Sequence, residues 1–224
     1  MHSHTNGQLN YVSKGTVRLM TPNGAWVVPQ QRIVWIPPCL PHSVGCQGLS
    51  GGWKIMTPRS YGKFLPSRVS VLQTNNLLLA ALDSIPENKK MISSAKLRLL
   101  IEIIKHELQS AKSESFGVTL PKSSQFRPLT DVLLKNPEDT RTLDQWAKVV
   151  GMSRRTFTRN FIAETGSSFG EWKKTLVFGK ALNLLSEGRN IDETSHLLGY
   201  SSSSAFVAAF GKRFGTTPGQ FFSN

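Results

Sequence analysis

Long apolar runs are missing from this chain. The longest, Leu77 to Leu82, stops at Asp83, far short of the roughly 20 apolar residues that a membrane-spanning helix needs. Cysteine is nearly absent. Cys39 and Cys46 are the only two; they cannot build a disulfide framework, and no Cys-x-x-Cys spacing points to zinc or redox chemistry. Two reduced thiols are expected. The start also lacks the charged segment and apolar core of a secretory leader: Met1 is followed by His2-Ser3-His4, which makes the cytoplasm the expected location and leaves no membrane partner. No hydroxyl is paired with a histidine and a carboxylate, and no phosphate-binding glycine loop occurs, so nothing sets up nucleophilic catalysis. Acidic residues are few, 14 against 27 lysines and arginines, for a net charge of +13. Such a balance favours a polyanionic partner. Its distribution does not locate the surface, because residues 1–112 hold 13 basic against 4 acidic side chains and residues 113–224 hold 14 against 10.

What is present falls into an α+β arrangement. Residues 1–75 read as short strands, Gln8–Val12, Thr16–Met20, Trp26–Val28, Ile33–Ile36, Trp53–Met56 and Arg68–Gln73, broken at Lys14-Gly15, Pro22-Asn23-Gly24, Pro37-Pro38 and Gly51-Gly52. Asn23-Gly24 signals a hairpin, since both residue types tolerate positive φ. Strands at this spacing predict a small barrel or sandwich. From 76 to 112 the period is helical: Leu97, Leu100, Ile101, Ile104 and Leu108 form one apolar stripe, suited to packing on the strands, to dimerisation, or to both. Residues 113–127 lack periodicity and read as a linker. Residues 128–224 read as all-α.

That last region repeats itself. Leu143 to Gly166 and Ile191 to Gly215 both place a small residue (Ala147, Ser195) four positions before a glycine (Gly151, Gly199). Both then set two phenylalanines four apart (Phe157 and Phe161, Phe206 and Phe210), with a second glycine five beyond. The offset between copies is 48–49 residues. Small residues let two helices cross closely, the first glycine suits a left-handed turn, and Ser153 and one of Ser201–Ser203 can cap the next helix. Two helix-turn-helix units are predicted, each with its second helix able to enter a major groove. Between them Trp172, Leu176, Gly179, Leu182 and Leu185 mark one long buried helix, a spacer that can set the two heads in successive grooves.

With the phenylalanines inward, the first reading helix presents Arg154, Arg155, Thr158 and Arg159, side chains that bond guanine, phosphate or base edges. In sequence these arginines meet no carboxylate until Glu164. The second presents Ser202, Ser203, Ser204, Val207 and Ala208, with Lys212 and Arg213 near its far end; it is expected to discriminate less and to position the protein on the backbone.

From about Pro128 to Phe222 the chain resembles the AraC/XylS family of transcription regulators. The resemblance rests on Leu143-x-x-x-Ala-x-x-x-Gly-Met-Ser, Arg159-x-Phe-x-x-Glu-Thr-Gly, Phe169-x-x-Trp, Ala181-Leu-x-Leu-Leu, Gly199-Tyr-Ser-x-x-Ser-x-Phe and the closing Phe210-Gly-Lys-Arg-Phe-Gly-Thr-Thr-Pro218. It implies base contacts from Arg155, Thr158 and Arg159 in the first head and from Ser203, Ser204 and Ala208 in the second. It also implies promoter DNA, a small-molecule effector and RNA polymerase as partners, a homodimer, and regulation such as activation without enzymatic activity. Val177 and Ser195 depart from the arginine and alanine usual at those places.

The first 75 residues resemble the cupin-like sensor domain found in one branch of that family, through His2-x-His4-x-x-x-Gln8, Gly15 and Trp35-Ile-Pro-Pro-Cys-Leu-Pro-His42. The resemblance implies a β-rich barrel, complete or incomplete, and in its metal-binding members a divalent ion held at positions matching His2, His4, Gln8 and His42; nitrogen ligands with one oxygen suit iron, manganese, nickel or zinc. The chain begins at the first of these ligands, so the strand before it is expected to be missing and His2 and His4 to be frayed. A remnant effector pocket without metal and purely structural packing are the other two readings of the same residues. A metal-dependent cupin enzyme with an accessory DNA-binding domain is the rival for the whole chain.

Overall fold

The computed structural model describes residues 1–85 and 92–223. Its first half is one antiparallel sheet of seven strands organised around β1 (Gly7–Thr21). One edge of β1 pairs first with β3 (Arg32–Ile36), then with β2 (Gly24–Pro29); the other edge pairs with β4 (Ser43–Thr57). β5 (Ser70–Gln73) extends the sheet beyond β3. Among the described residues the sheet is an open half-barrel, with β6 (Ser113–Glu114) and β7 (Gly117–Thr119) at the two ends of its strand path.

Three expectations need correction. Gln8–Val12 and Thr16–Met20 are not separate strands. Lys14-Gly15 lies inside β1, where the register to β4 shifts on either side of Lys14 and Gly15 takes φ 78°, so the chain bulges without ending the strand. β4 begins ten residues before the expected Trp53, its pattern diluted by Gly45, Gly48, Gly51 and Gly52. The β1–β2 hairpin exists but turns on Pro22-Asn23, between the paired Thr21 and Gly24. Gly24 is needed for space, because a Cβ there would lie 2.2 Å from the Trp26 ring.

One face of the sheet is covered by α1 (Asn76–Asp83) and α2 (Ser94–Ser110), whose Leu78, Leu82, Ile104 and Leu108 pack on Leu9, Ile33, Trp35 and Leu72. The stripe of α2 therefore packs on its own sheet at Ile104 and Leu108, with Leu97, Leu100 and Ile101 half-buried. Leu99 (69% exposed) and Ile103 face away from it. Residues 86–91 of the expected helical segment lie outside the described residues.

The stretch 113–127, expected to be a linker, is built into the structure. β6 (Ser113–Glu114) pairs with β5, β7 (Gly117–Thr119) pairs with β2, and Ser124–Phe126 forms a 3-10 turn. The sheet thus extends well past the expected boundary at 75. The helices that follow are α3 (Arg127–Leu133), α4 (Leu143–Val149), α5 (Arg154–Thr165), α6 (Phe169–Ser186), α7 (Ile191–Leu197), α8 (Ser203–Phe214) and α9 (Pro218–Ser223). They do not stand apart from the sheet. Val17, Leu19 and Val28 share a core with Phe178, Leu182, Phe206 and Phe210, while Ala25 and Val118 share another with Phe126, Phe157, Phe161 and Trp172. The expected stripe of α6 is too narrow. Phe169, Phe178 and Ala181 are buried as well, because the helix is packed on several sides. No helix among the described residues is long and apolar enough to cross a membrane.

Candidate nucleic-acid interface

Both heads are built alike. Thr142 opens α4 with a capping box to Gln145, and Asn190 opens α7 by accepting from the Glu193 amide at 2.8 Å. The turns are then the same bond for bond: Gly151 N–H donates to Lys148 and Met152 N–H to Ala147, while Gly199 donates to His196 and Tyr200 to Ser195, all at 2.8–3.1 Å. Gly151 (φ 67°) and Gly199 (φ 77°) occupy the left-handed region that makes such a turn. Ser153 and Ser202 cap α5 and α8. Ala147 and Ser195 are buried where the helices cross. Serine at 195 has its own reason: its hydroxyl donates to Asp192 O at 2.9 Å and lies 3.3 Å from Ser203 Oγ.

Phe157, Phe161, Phe206 and Phe210 are all fully buried. In the first head Phe157 and Phe161 stack with centroids 5.6 Å apart, and Phe126 and Phe169 close on both edge-to-face. In the second, Phe210 is gripped by Phe178, Phe214 and Phe221. Burying these rings fixes which face of each reading helix is left outside.

On α5 that face carries exposed Arg154, Arg155 and Arg159 with half-buried Thr158. Their states differ. Arg155 has neither an ion pair nor a hydrogen bond among the described residues. Arg159 reaches only Asn160, at 3.3 Å, and the Thr158 hydroxyl donates to the Arg154 carbonyl at 3.0 Å. Arg154 is paired with Asp144 of α4 at 2.8 Å. The carboxylate absent along the sequence is thus supplied across the turn.

The second head is more occupied with itself. The Ser202 hydroxyl is spent as the cap, and half-buried Ser203 donates to the Asp192 carboxylate. Arg213 is half-buried and donates to Ser115 O at 2.8 Å and Thr175 Oγ1 at 3.2 Å, tying α8 to the β6–β7 connection and to α6. Val207 is half-buried in the core shared with the sheet. Ser204, Ala208 and Lys212 remain exposed.

A second cluster lies at the start of the chain. The expectation that His2 and His4 fray does not hold: His2 and His42 exchange backbone hydrogen bonds at 2.9 Å in both directions, and Cys39 N–H donates to His4 O. The potential ligand atoms of His2, His4 and His42 all lie within 4.8 Å of one another. His42 is fully buried and donates from Nδ1 to Leu40 O at 2.8 Å, which leaves its Nε2 buried without a partner. Burial pushes the His42 imidazole below its ordinary pKa, helped by the positive charge of His2, His4 and Lys54. Buried Gln8 stands behind His4, its Oε1 2.9 Å from His4 Nε2 and its amide donating to Asn10. Cys39 and Cys46 are free and exposed.

Comparison with known proteins adds two domain matches. Residues 146–224 match the helix-turn-helix domain model, and residues 1–57 match the AraC-like ligand-binding domain model. The HTH-type transcriptional regulator NimR of Escherichia coli is 28% identical over 225 residues, covering all of this chain and 82% of that protein. The HTH-type transcriptional regulator RipA of Corynebacterium glutamicum is 34% identical over 102 residues, 46% of this chain and 31% of its own length. Among solved structures, ToxT of Vibrio cholerae aligns over 98% of this chain and 90% of its own, at 11% identity and a TM-score of 0.43.

Proposed function

We propose that the chain is a transcription regulator of the AraC family, a reading supported by the matches of residues 1–57 to an AraC-like ligand-binding domain and of residues 146–224 to a helix-turn-helix domain, and that it engages its operator as follows. Arg155 and Arg159 of α5 read base edges in a major groove, with Thr158 beside them. Arg154 is divided between Asp144 and the DNA backbone. The second head contributes Ser204, Ala208 and Lys212, while Ser202, Ser203 and Arg213 serve its architecture first. Arg155 carries the reading: it is exposed and unpaired among the described residues, on the helix whose other face buries Phe157 and Phe161. The protein works in the cytoplasm as an effector-responsive homodimer that meets RNA polymerase at promoters, and it has no catalytic role. Exposed Leu99 and Ile103 on α2 supply a face for the dimer.

The test begins with in vitro selection of a duplex on the full chain. Arg155→Ala is expected to cost about 1–3 kcal/mol on that duplex and little on random sequence. Equal weakening on both makes Arg155 a phosphate contact and refutes base reading.

A second reading is favoured by the buried, unpartnered Nε2 of His42. His2, His4 and His42 are grouped closely enough to hold a divalent first-row metal ion, with Gln8 completing the set, once His4 releases one of the two oxygens, Asn6 O and Gln8 Oε1, that its ring nitrogens face. Metal analysis decides it. Stoichiometric metal lost in His42→Ala supports the site, turnover in addition points to the metal-dependent enzyme, and metal-free protein indifferent to added zinc or manganese refutes it.

A further inference from the structure

The sheet and the helices that follow it flank a half-open cavity of about 220 Å³ that neither the reading heads nor the histidine cluster uses. Its walls come from β1, β2, the β7 segment, the α3–α4 connection and α6. It therefore lies where one occupant touches both halves of the molecule. Trp26, Leu176 and Leu184 supply apolar wall. A cavity of roughly 150 Å³ accepts a benzene ring, so this one has room for a single ring with a small head group.

Its charge is one-sided. Arg18, Lys135 and Lys180 face Glu187 alone among lining acids. Lys180 is already held by Glu138 at 2.6 Å. Arg18 is not held: half-buried, it has no carboxylate partner among the described residues, and its guanidinium donates only to Leu134 O, at a long 3.3 Å. A partly desolvated guanidinium with unused donors is matched by a carboxylate, which it can grip through two parallel hydrogen bonds. The apolar wall matches a ring.

We propose that this cavity binds a small organic acid, one aromatic or similarly compact apolar ring bearing one carboxylate, with Arg18 as its anchor. Because the acid contacts β1 and β2 on one side and α6 on the other, it favours one seating of the helices on the sheet over others, and only such differential contact lets a ligand shift an equilibrium. This deepens the effector-responsive reading above and rests on it.

The experiment uses the full chain with benzoate and phenylacetate as probes, benzamide and benzyl alcohol as neutral counterparts, and acetate as charge without a ring. Thermal unfolding and intrinsic tryptophan fluorescence are followed, Trp26 reporting from the wall. The aromatic acids are expected to raise the unfolding midpoint saturably at millimolar concentration, the other three not. Arg18→Gln is expected to weaken acid binding at least tenfold with an unchanged circular dichroism spectrum, and Arg18→Lys to lie between. Should Arg18→Gln misfold, the Arg18→Lys comparison carries the test. Acids that shift nothing, neutral probes that bind as well as acids, or Arg18 variants that bind like the parent would each overturn the proposal. Binding to the selected duplex is measured on the same samples. Intact duplex binding without any acid effect sinks the cavity alone, whereas duplex binding that ignores Arg155→Ala sinks the DNA reading.

Discussion

Arg213 offers a sharp test of whether a cation near the end of α8 serves the fold or the DNA, since the Nη2 donors it gives to Ser115 and Thr175 are not free for a phosphate. Arg213→Ala removes hydrogen bonds to Ser115 O (2.8 Å) and Thr175 Oγ1 (3.2 Å). A hydrogen bond from a charged donor contributes about 1.5–3 kcal/mol when buried. Arg213 is only half-buried and Ser115 is exposed, so the pair together should contribute about 1–2 kcal/mol after solvent competition. For a chain of this size each kcal/mol moves the midpoint by about 2–4 °C. The expected fall is therefore roughly 2–8 °C, read by circular dichroism. The second readout is the salt dependence of binding to the selected duplex, whose logarithmic slope drops by about 0.9 for each phosphate no longer neutralised. Arg213→Ala should leave that slope unchanged, whereas Lys212→Ala, exposed on the same turn, should lower it by about 0.9 and leave the midpoint in place. An unchanged midpoint with a reduced slope in Arg213→Ala would refute the assignment and return Arg213 to the DNA.

Phe161→Ala empties the centre of the first head's aromatic cluster and should cost about 3–5 kcal/mol, with hydrogen exchange in α5 accelerating before that in α8; exchange rising equally in both would show that the heads do not melt separately. Asp139 is held below the ordinary carboxylate value first by the side-chain hydrogen bonds from Arg141, which desolvation opposes and which the Arg141 amide and the charges of Arg141 and Lys173 reinforce. Its contribution is present above its ordinary value of 3.8 and lost as the pH falls through the depressed one. The stability gap between the parent and Asp139→Asn should accordingly be constant at neutral pH and close in acid, and a gap that widens in acid would contradict the pairing.

The parts of the molecule legible in sequence are those set by local spacing. Ala147, Gly151, Ser153, Phe157 and Phe161 act within two helices and one turn, so their intervals alone predict the caps, the left-handed glycine and the inward rings. Contacts across the chain leave no such trace. Arg154 meets Asp144 only after the turn folds, and Arg213 meets Ser115 only after the head lies on the sheet. Gly179 falls in a helical stripe by its spacing, yet its own constraint is that a Cβ there would come 3.1 Å from Val27 of β2. The residues after Lys112 look structureless because each strand they form is two or three residues long and is specified by its partner. The expectation of fraying at His2 and His4 fails for the same reason: what orders them is the segment of Cys39 and His42, which the chain reaches only after three intervening strands.

β1 has a mechanical consequence. A single rod of 15 residues, about 50 Å at the usual rise per residue, starts beside the histidines and finishes with Leu19 in the core of one head and Met20 against that of the other. A displacement along this rod is therefore expected to reach both heads together, in step. The bulge around Lys14 and Gly15 is where the register of this rod shifts, so stiffening it is expected to tighten the linkage and lengthening it to let the two ends of the molecule move without hearing each other.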